Sequence, residues 1–255
     1  MSSPLGEARA SLSAAEEPPL KVQGLTVSYD EGRALDDVDL TLSRGTVTAL
    51  LGMNGSGKST LFNAVAGLIP AVGGEVQIMG LSPKHARRRN VLGYMPQSEN
   101  VDWDFPVTVH DVVMTGRYGR LGFTRRPRRE DRKAVAEAIE RVGLSEYTHR
   151  QIGKLSGGQK KRAFLARSLA QEAQLLLLDE PLAGVDTVSA HTIAEILREV
   201  ASDGATVLMS VHETTQLRSF VDHAILLKNR VVFRGCIDEV LKPQNLSLAF
   251  GGATA

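Results

Sequence analysis

Residues 20 to 50 hold short runs of apolar and polar positions, LKVQGLTVSY, ALDDVDLTL and TVTALLG, separated by turn-forming clusters at DEGR and SRG. Runs of this kind, rich in Val, Leu, Thr and Tyr, predict β-strands. From Lys58 the period changes. The pattern predicts a helix to about Gly67, a strand near GEVQIMG, a helical middle from about 108 to 170, then strand QLLLLD, a helix, and strands TVLMSV and AILLK. Two helices carry a checkable stripe. Val135, Ala138, Ile139 and Val142 fall at i, i+3, i+4 and i+7 before Gly143, and Ile193, Ile196, Leu197 and Val200 repeat the spacing before Gly204. Strands alternating with helices imply a mostly parallel sheet covered on both faces.

Composition narrows the class. The chain has 255 residues, 42% hydrophobic and 23% charged, enough for a full core in one folding unit. Thirty basic residues against twenty-nine acidic ones leave a formal charge of +1, which gives no global field for nucleic acid or an anionic membrane. Apolar runs such as Leu175 to Leu178 fall far short of the ~20 residues that cross a bilayer as a helix. Residues 1–19 are small, polar and proline-ended and are expected to be a disordered leader; residues 246–255 are expected to be a C-terminal tail. The single Cys236 excludes an internal disulfide and a thiolate zinc cage, and His85, His110, His149, His191, His212 and His223 show no paired ligand spacing. The arginine-rich stretch TRRPRREDRK reads as a solvated loop running into a helix.

The chemistry is concentrated in three places. Gly52, Met53, Asn54, Gly55, Ser56, Gly57, Lys58 and Ser59 match G-x-x-x-x-G-K-S, after the strand TVTALL and before the helix KSTLFNAVAGL. In that setting backbone N–H groups turn inward around phosphate oxygens, the helix start adds partial positive charge, Lys58 reaches the outer phosphates and the Ser59 hydroxyl ligates Mg²⁺. QLLLLDE then supplies Asp179 at a strand end, followed by Glu180. Asp179 is placed to hold Mg²⁺ through its water shell and Glu180 to polarise an attacking water. The third place is Leu155, Ser156, Gly157, Gly158 and Gln159 ahead of KKRAFLARSLAQE, a second helix N-terminus with the means to bind a phosphate. Alone, SGG is also an ordinary capping turn.

The set GMNGSGKST, LSGGQ, LLLLDEP, Asp186 and His212 resembles the nucleotide-binding domain of ATP-binding-cassette proteins over about Leu20 to Lys242. The resemblance implies an α/β P-loop NTPase fold of the RecA-like kind. It implies a mostly parallel sheet, an N-terminal antiparallel β subdomain, and an inserted α-helical signature subdomain at about 98–170 within a domain spanning 20–245. It implies an ATPase that uses ATP and Mg²⁺, with Gly52 through Thr60 binding the nucleotide, Tyr29 stacking on adenine, and Ser59, Gln97 and Asp179 around Mg²⁺. Glu180, Gln97 and His212 would form the catalytic group, His212 touching the γ-phosphate. Ser156, Gly157, Gly158 and Gln159 would bind the γ-phosphate held by a partner's loop, with Asp186 at the dimer contact. One loop and one signature therefore imply a homodimer or a pair of nucleotide-binding subunits. Departures are Met53 where many relatives have proline, Val185 where leucine is usual, and Glu213 where aspartate often follows the histidine.

The stretch from Tyr94 to Pro127, with LSGGQKKRAFLARSLAQ and DEPLAGVD, is similar to importers of the manganese, zinc and iron family. That similarity implies a place on the cytoplasmic face of a membrane, a multi-span permease, an extracytoplasmic metal-binding protein, and no nucleic acid. Trp103 and Phe105 lie in an acidic, proline-bounded loop, which suits an exposed contact with a membrane partner; packing under the helical lobe is the alternative. The competing functional readings are a cytosolic cassette ATPase acting on the ribosome or DNA, and a phosphate-loop kinase.

Overall fold

The computed structural model describes residues 17–30, 32–97, 105–122, 125–212, 214 and 216–251. Trp103, Glu213, residues 1–16 of the expected leader and the end of the expected tail lie outside the described residues. In chain order the elements are β1 (Lys21–Tyr29), β2 (Gly32–Thr41), β3 (Val47–Leu51), α1 (Lys58–Val65), β4 (Gly73–Gln77), α2 (Pro83–Arg88) and β5 (Leu92–Met95). There follow α3 (Val109–Thr115), α4 (Arg129–Arg141), α5 (Gly157–Ala170), β6 (Leu175–Leu178), α6 (Thr187–Ser202), β7 (Thr206–Val211), β8 (His223–Lys228), β9 (Arg230–Cys236), α7 (Ile237–Val240) and α8 (Pro243–Phe250).

Two sheets result. β1 pairs antiparallel with β2 on one side and β4 on the other, giving the order β2-β1-β4. The larger sheet runs β5-β6-β7-β3-β8-β9, parallel throughout except for β9, which returns antiparallel along β8. The fold is the mostly parallel α/β sheet with an antiparallel β subdomain that the sequence implied. Alternation explains how one leucine run serves two cores. Along β6, Leu176 and Leu178 join the core on the helical side while Leu175 and Leu177 join the core under the smaller sheet. Val207, Met209 and Val211 of β7 split from Leu208 in the same way.

The helical lobe is closed by the stripes read from the sequence: Val135, Ala138, Ile139 and Val142 are all at most 5% exposed. Gly143 follows at φ 65, the left-handed conformation that ends helices and suits glycine. α3, α4 and α5 meet around a buried cation, Arg117. Its guanidinium contacts Asp131 at 3.0 Å, the Ala170 carbonyl at 2.9 Å and Glu172 at 2.8 Å.

The structure departs from the sequence reading at several points, and it adds α2, β9 and α7 to the expected elements. The helical middle is broken between Thr115 and Arg129. β5 was not expected, because four residues with Gly93 among them carry no period. It is extended because it pairs with β6, and a Cβ on Gly93 would lie 2.8 Å from Leu176. At the other end, the boundary expected at residue 245 falls inside α8, whose Ala249 is buried.

Candidate phosphate-binding and hydrolysis site

β3 delivers the chain into a loop whose glycines are demanded by close approach. A Cβ on Gly52 would meet the Leu227 carbonyl at 2.4 Å, and one on Gly57, at φ 97, would meet the Ala34 carbonyl and Leu35 at 2.7 Å. The loop therefore lies pressed between β2 and the end of β8. Lys58 begins α1, and its ammonium curls back to donate to the Gly52 carbonyl at 2.7 Å and the Met53 carbonyl at 3.0 Å. Burial pushes its pKa down from the ordinary lysine value, and the carboxylates of Glu180 and Asp179 pull it up. Ser56 carries a buried hydroxyl with no hydrogen-bond partner, inside the loop. A loop with a buried cation, an unpaired hydroxyl and glycines shaped around an inward curve fits a phosphate group. Ser59 and Thr60 lie in the first turn of α1, Asn54 and Gly55 in the exposed crest of the loop, and Met53 is 43% exposed.

The carboxylates stand one strand away from that loop. Asp179 ends β6 at 2% exposure, and Ser210, from the intervening β7, donates to its Oδ1 at 2.5 Å. The same hydroxyl accepts from the Glu180 N–H at 2.9 Å. Glu180 adopts φ 54, rare for a residue of its type, which turns its side chain away from that of Asp179. Both carboxylate oxygens of Glu180 are engaged: Gln97 Nε2 donates to Oε2 at 2.7 Å and His212 Nε2 bonds Oε1. A cavity of 310 Å³ opens beside this group, bounded by Glu180, Gly184, Ser210, His212 and Leu217. The structure thus brings Lys58, Asp179, Glu180, Gln97 and His212 to the C-terminal ends of neighbouring parallel strands, the usual place for a ligand in such sheets.

Ser156, Gly157, Gly158 and Gln159 form a separate group. Ser156 caps α5, its hydroxyl accepting from the Gln159 N–H at 3.3 Å while Gln159 Oε1 accepts from the Ser156 N–H at 3.0 Å. A Cβ on Gly158 would lie 2.3 Å from Ser189 Oγ and 3.2 Å from Asp186. Asp186 caps α6, accepting from the Ser189 N–H at 2.9 Å and its hydroxyl at 2.8 Å, and these bonds hold its carboxyl below the usual aspartate range. Tyr29 is 51% exposed at the end of β1, paired with Gly32 across the hairpin. Among the described residues there is no cluster of three or more His, Cys, Asp or Glu able to hold a metal ion by itself, and no helix long and apolar enough to cross a membrane.

Sequence reasoning missed three residues of the site. Ser210 could have been noticed as a buried serine two positions before His212 in an apolar strand. Asn229 had no signal. It turns β8 into β9 at φ 58, donates from its backbone N–H to the Ser56 carbonyl at 2.9 Å and from Nδ2 to the Ala34 carbonyl at 3.0 Å, and so braces the loop from the far end of the chain. Lys161 donates to the Glu180 carbonyl at 3.2 Å.

Comparison with known proteins agrees with this geometry. The family model described as ABC transporter matches residues 35–183. The manganese transport system ATP-binding protein MntA of Synechocystis is 47% identical over 91% of this chain and 90% of its own length. The chelated iron transport system membrane protein YfeB of Yersinia pestis is 48% identical over 92% of this chain and 80% of its own. A nucleotide-free ATP-binding cassette from an ABC transporter superposes with a TM-score of 0.80 at 25% identity, covering 91% of this chain and 98% of that one. A family match over more than half of the chain, two relatives near half identity and a shared fold lead to one conclusion: the chain belongs to the ABC transporter family and is one of its ATPase cassettes.

Proposed function

We propose that the chain hydrolyses ATP to drive a membrane permease that imports a divalent metal cation, manganese, zinc or iron. The relatives named for manganese and for chelated iron are almost equally identical to it, which supports the cargo class without favouring either metal. The observation that carries the hydrolytic reading is Glu180 held by both carboxylate oxygens beside the lysine-bearing loop.

In this reading the backbone N–H groups from Gly52 to Thr60 and the ammonium of Lys58 bind the outer phosphates, Lys58 exchanging its two loop carbonyls for phosphate oxygens. Tyr29 stacks on the adenine. Asp179, its Oδ1 fixed by Ser210, would hold Mg²⁺ together with Ser59 and Gln97. The chemistry such an ion would supply there is neutralisation of phosphate charge. Glu180 accepts a proton from the attacking water, and His212 fixes its carboxylate and reaches the γ-phosphate. Ser156, Gly157, Gly158 and Gln159 serve the phosphate loop of a second subunit. Among the described residues, its chain neighbours and its own helix apart, the Gly184 carbonyl is the one heavy atom within 4 Å of a Cβ built on Gly157, which supports a partner's access to this helix end. Asp186 then lies at the dimer contact. The subunit works at the cytoplasmic face, peripheral to the membrane, with an extracytoplasmic metal-binding protein in the assembled system. A ribosome- or DNA-directed ATPase finds no support among the named relatives.

The test is Glu180→Gln in the full chain and in cells lacking the gene. It should bind ATP, hydrolyse it at least a hundredfold more slowly, dimerise in ATP and fail to restore metal uptake. Wild-type hydrolysis by this variant, or uptake that is independent of the gene, would overturn the proposal.

A further inference from the structure

Glu180 holds a left-handed backbone conformation that side chains of its kind adopt rarely, and such conformations persist where the surroundings over-determine them. Its two flanking peptide groups are each held by a side chain, and the C-terminal carbonyl also accepts from the Ala183 N–H at 3.2 Å. On the N-terminal side, the Glu180 N–H donates to Ser210 Oγ at 2.9 Å, from the central strand of the sheet. On the C-terminal side, its carbonyl accepts from Lys161 Nζ at 3.2 Å, and the same ammonium reaches the Gln97 carbonyl at 3.5 Å. Lys161 belongs to the second turn of α5, the helix that begins at the Ser156 cap and packs within the helical lobe against α3 and α4. One cation on the helical lobe therefore joins the two chain segments whose side chains also meet, Gln97 Nε2 donating to Glu180 Oε2 at 2.7 Å.

We propose that Lys161 is a positioning residue for ATP hydrolysis: it ties the main chains of Glu180 and Gln97 to α5, so that the attitude of the helical lobe sets the placement of the Glu180 carboxylate. The inference rests on the reading that Glu180 activates water. Lys161 touches neither carboxylate oxygen, so its effect is on where the base sits. A swing of α5 that carries the ammonium out of reach leaves the Glu180 turn held by Ser210 and by the Ala183 N–H but no longer tied to the helical lobe. Engagement of the Ser156 end of α5 by a second subunit fixes α5, and with it the base. The same helix thus reports the presence of the partner to the hydrolytic group.

The experiment measures steady-state ATP hydrolysis, ATP affinity and melting temperature for the full chain, Lys161→Met, Lys161→Arg and Glu180→Gln. Lys161→Met should lower kcat about tenfold, the worth of one charge-assisted hydrogen bond, with ATP affinity and melting temperature near wild type. Lys161→Arg, which keeps a charged donor on a side chain of similar length, should recover kcat to within about threefold. A kcat for Lys161→Met within about twofold of wild type overturns the proposal, as does a loss shared equally by affinity or melting temperature, or no recovery with arginine. Glu180→Gln separates the two claims. If it is inactive while Lys161→Met runs at full rate, the role of Lys161 alone falls; if it hydrolyses normally, the water-activating role falls with it.

Discussion

The hydroxyl of Ser210 donates to Asp179 Oδ1 at 2.5 Å from inside a fully buried stretch of β7. Because it also accepts from the Glu180 N–H, one small side chain aligns both carboxylate residues. Ser210→Ala would strand a buried N–H and a buried carboxylate oxygen, a cost of about 1–3 kcal/mol. The expected outcome is a lower denaturation midpoint together with slower hydrolysis. Equal stability and turnover in the variant would show that the hydroxyl orders nothing.

Arg117 and Asp131 give a prediction about pH. Burial disfavours ionised Asp131, but hydrogen bonds from the Arg128 backbone and the Arg117 side chain outweigh it, so its pKa lies below the ordinary 3.8. A carboxyl with a lowered folded pKa contributes stability that is present above its unfolded value and lost as pH falls through the folded one. Asp131→Asn should therefore be about 2 kcal/mol less stable than wild type near neutrality, and the gap should begin to narrow below about pH 4 and go on narrowing as pH falls through the lower folded value. Unfolding curves at several pH values check this; a gap that stays constant into acid would exclude the ion pair as its cause.

Phe105 is 60% exposed, which favours a contact with a partner over packing under the helical lobe. Phe105→Ala should change folding stability by less than about 0.5 kcal/mol, as exposed substitutions do, while transport by the assembled system falls. The measurements are a melting curve on the subunit and metal uptake by the complex. Unaffected uptake would remove Phe105 from the docking surface.

Gly158 packs against the cap of α6 with no room for a methyl group. Gly158→Ala should push Ser189 and Asp186 aside at a cost of about 1–3 kcal/mol and weaken ATP-dependent pairing of subunits, with nucleotide binding by the single subunit retained. Sedimentation of Glu180→Gln with and without the added change reads the effect. Undiminished pairing would place this helix end outside the interface.

What the sequence made legible was contiguous or periodic. Lys58 sits in an eight-residue motif, Asp179 and Glu180 follow an unbroken apolar run, and the stripe through Val135 and Ile139 repeats at helical spacing. Single residues whose partners are distant in the chain had no such signature. Asn229 braces Ser56 through a hairpin formed late in the sequence, and Lys161 acts through backbone carbonyls that any residue possesses. Short β5 was invisible for a related reason: its extended form comes from pairing with β6, and its own four residues lack a pattern.

The strand order also has a consequence in time. Val47 of β3 pairs with Val207 of β7 and Thr48 with His223 of β8, so both neighbours of the strand carrying the phosphate loop are made late. On a ribosome adding about 5–20 residues per second, β3 waits on the order of ten seconds for them. During that wait VTALL, a strand wholly buried in the fold and apolar but for Thr48, has two open edges on the nascent chain, a substrate for chaperones and for aggregation alike. Nucleotide cannot guide the early stages of folding, since its seat is assembled only once β7 and β8 have emerged.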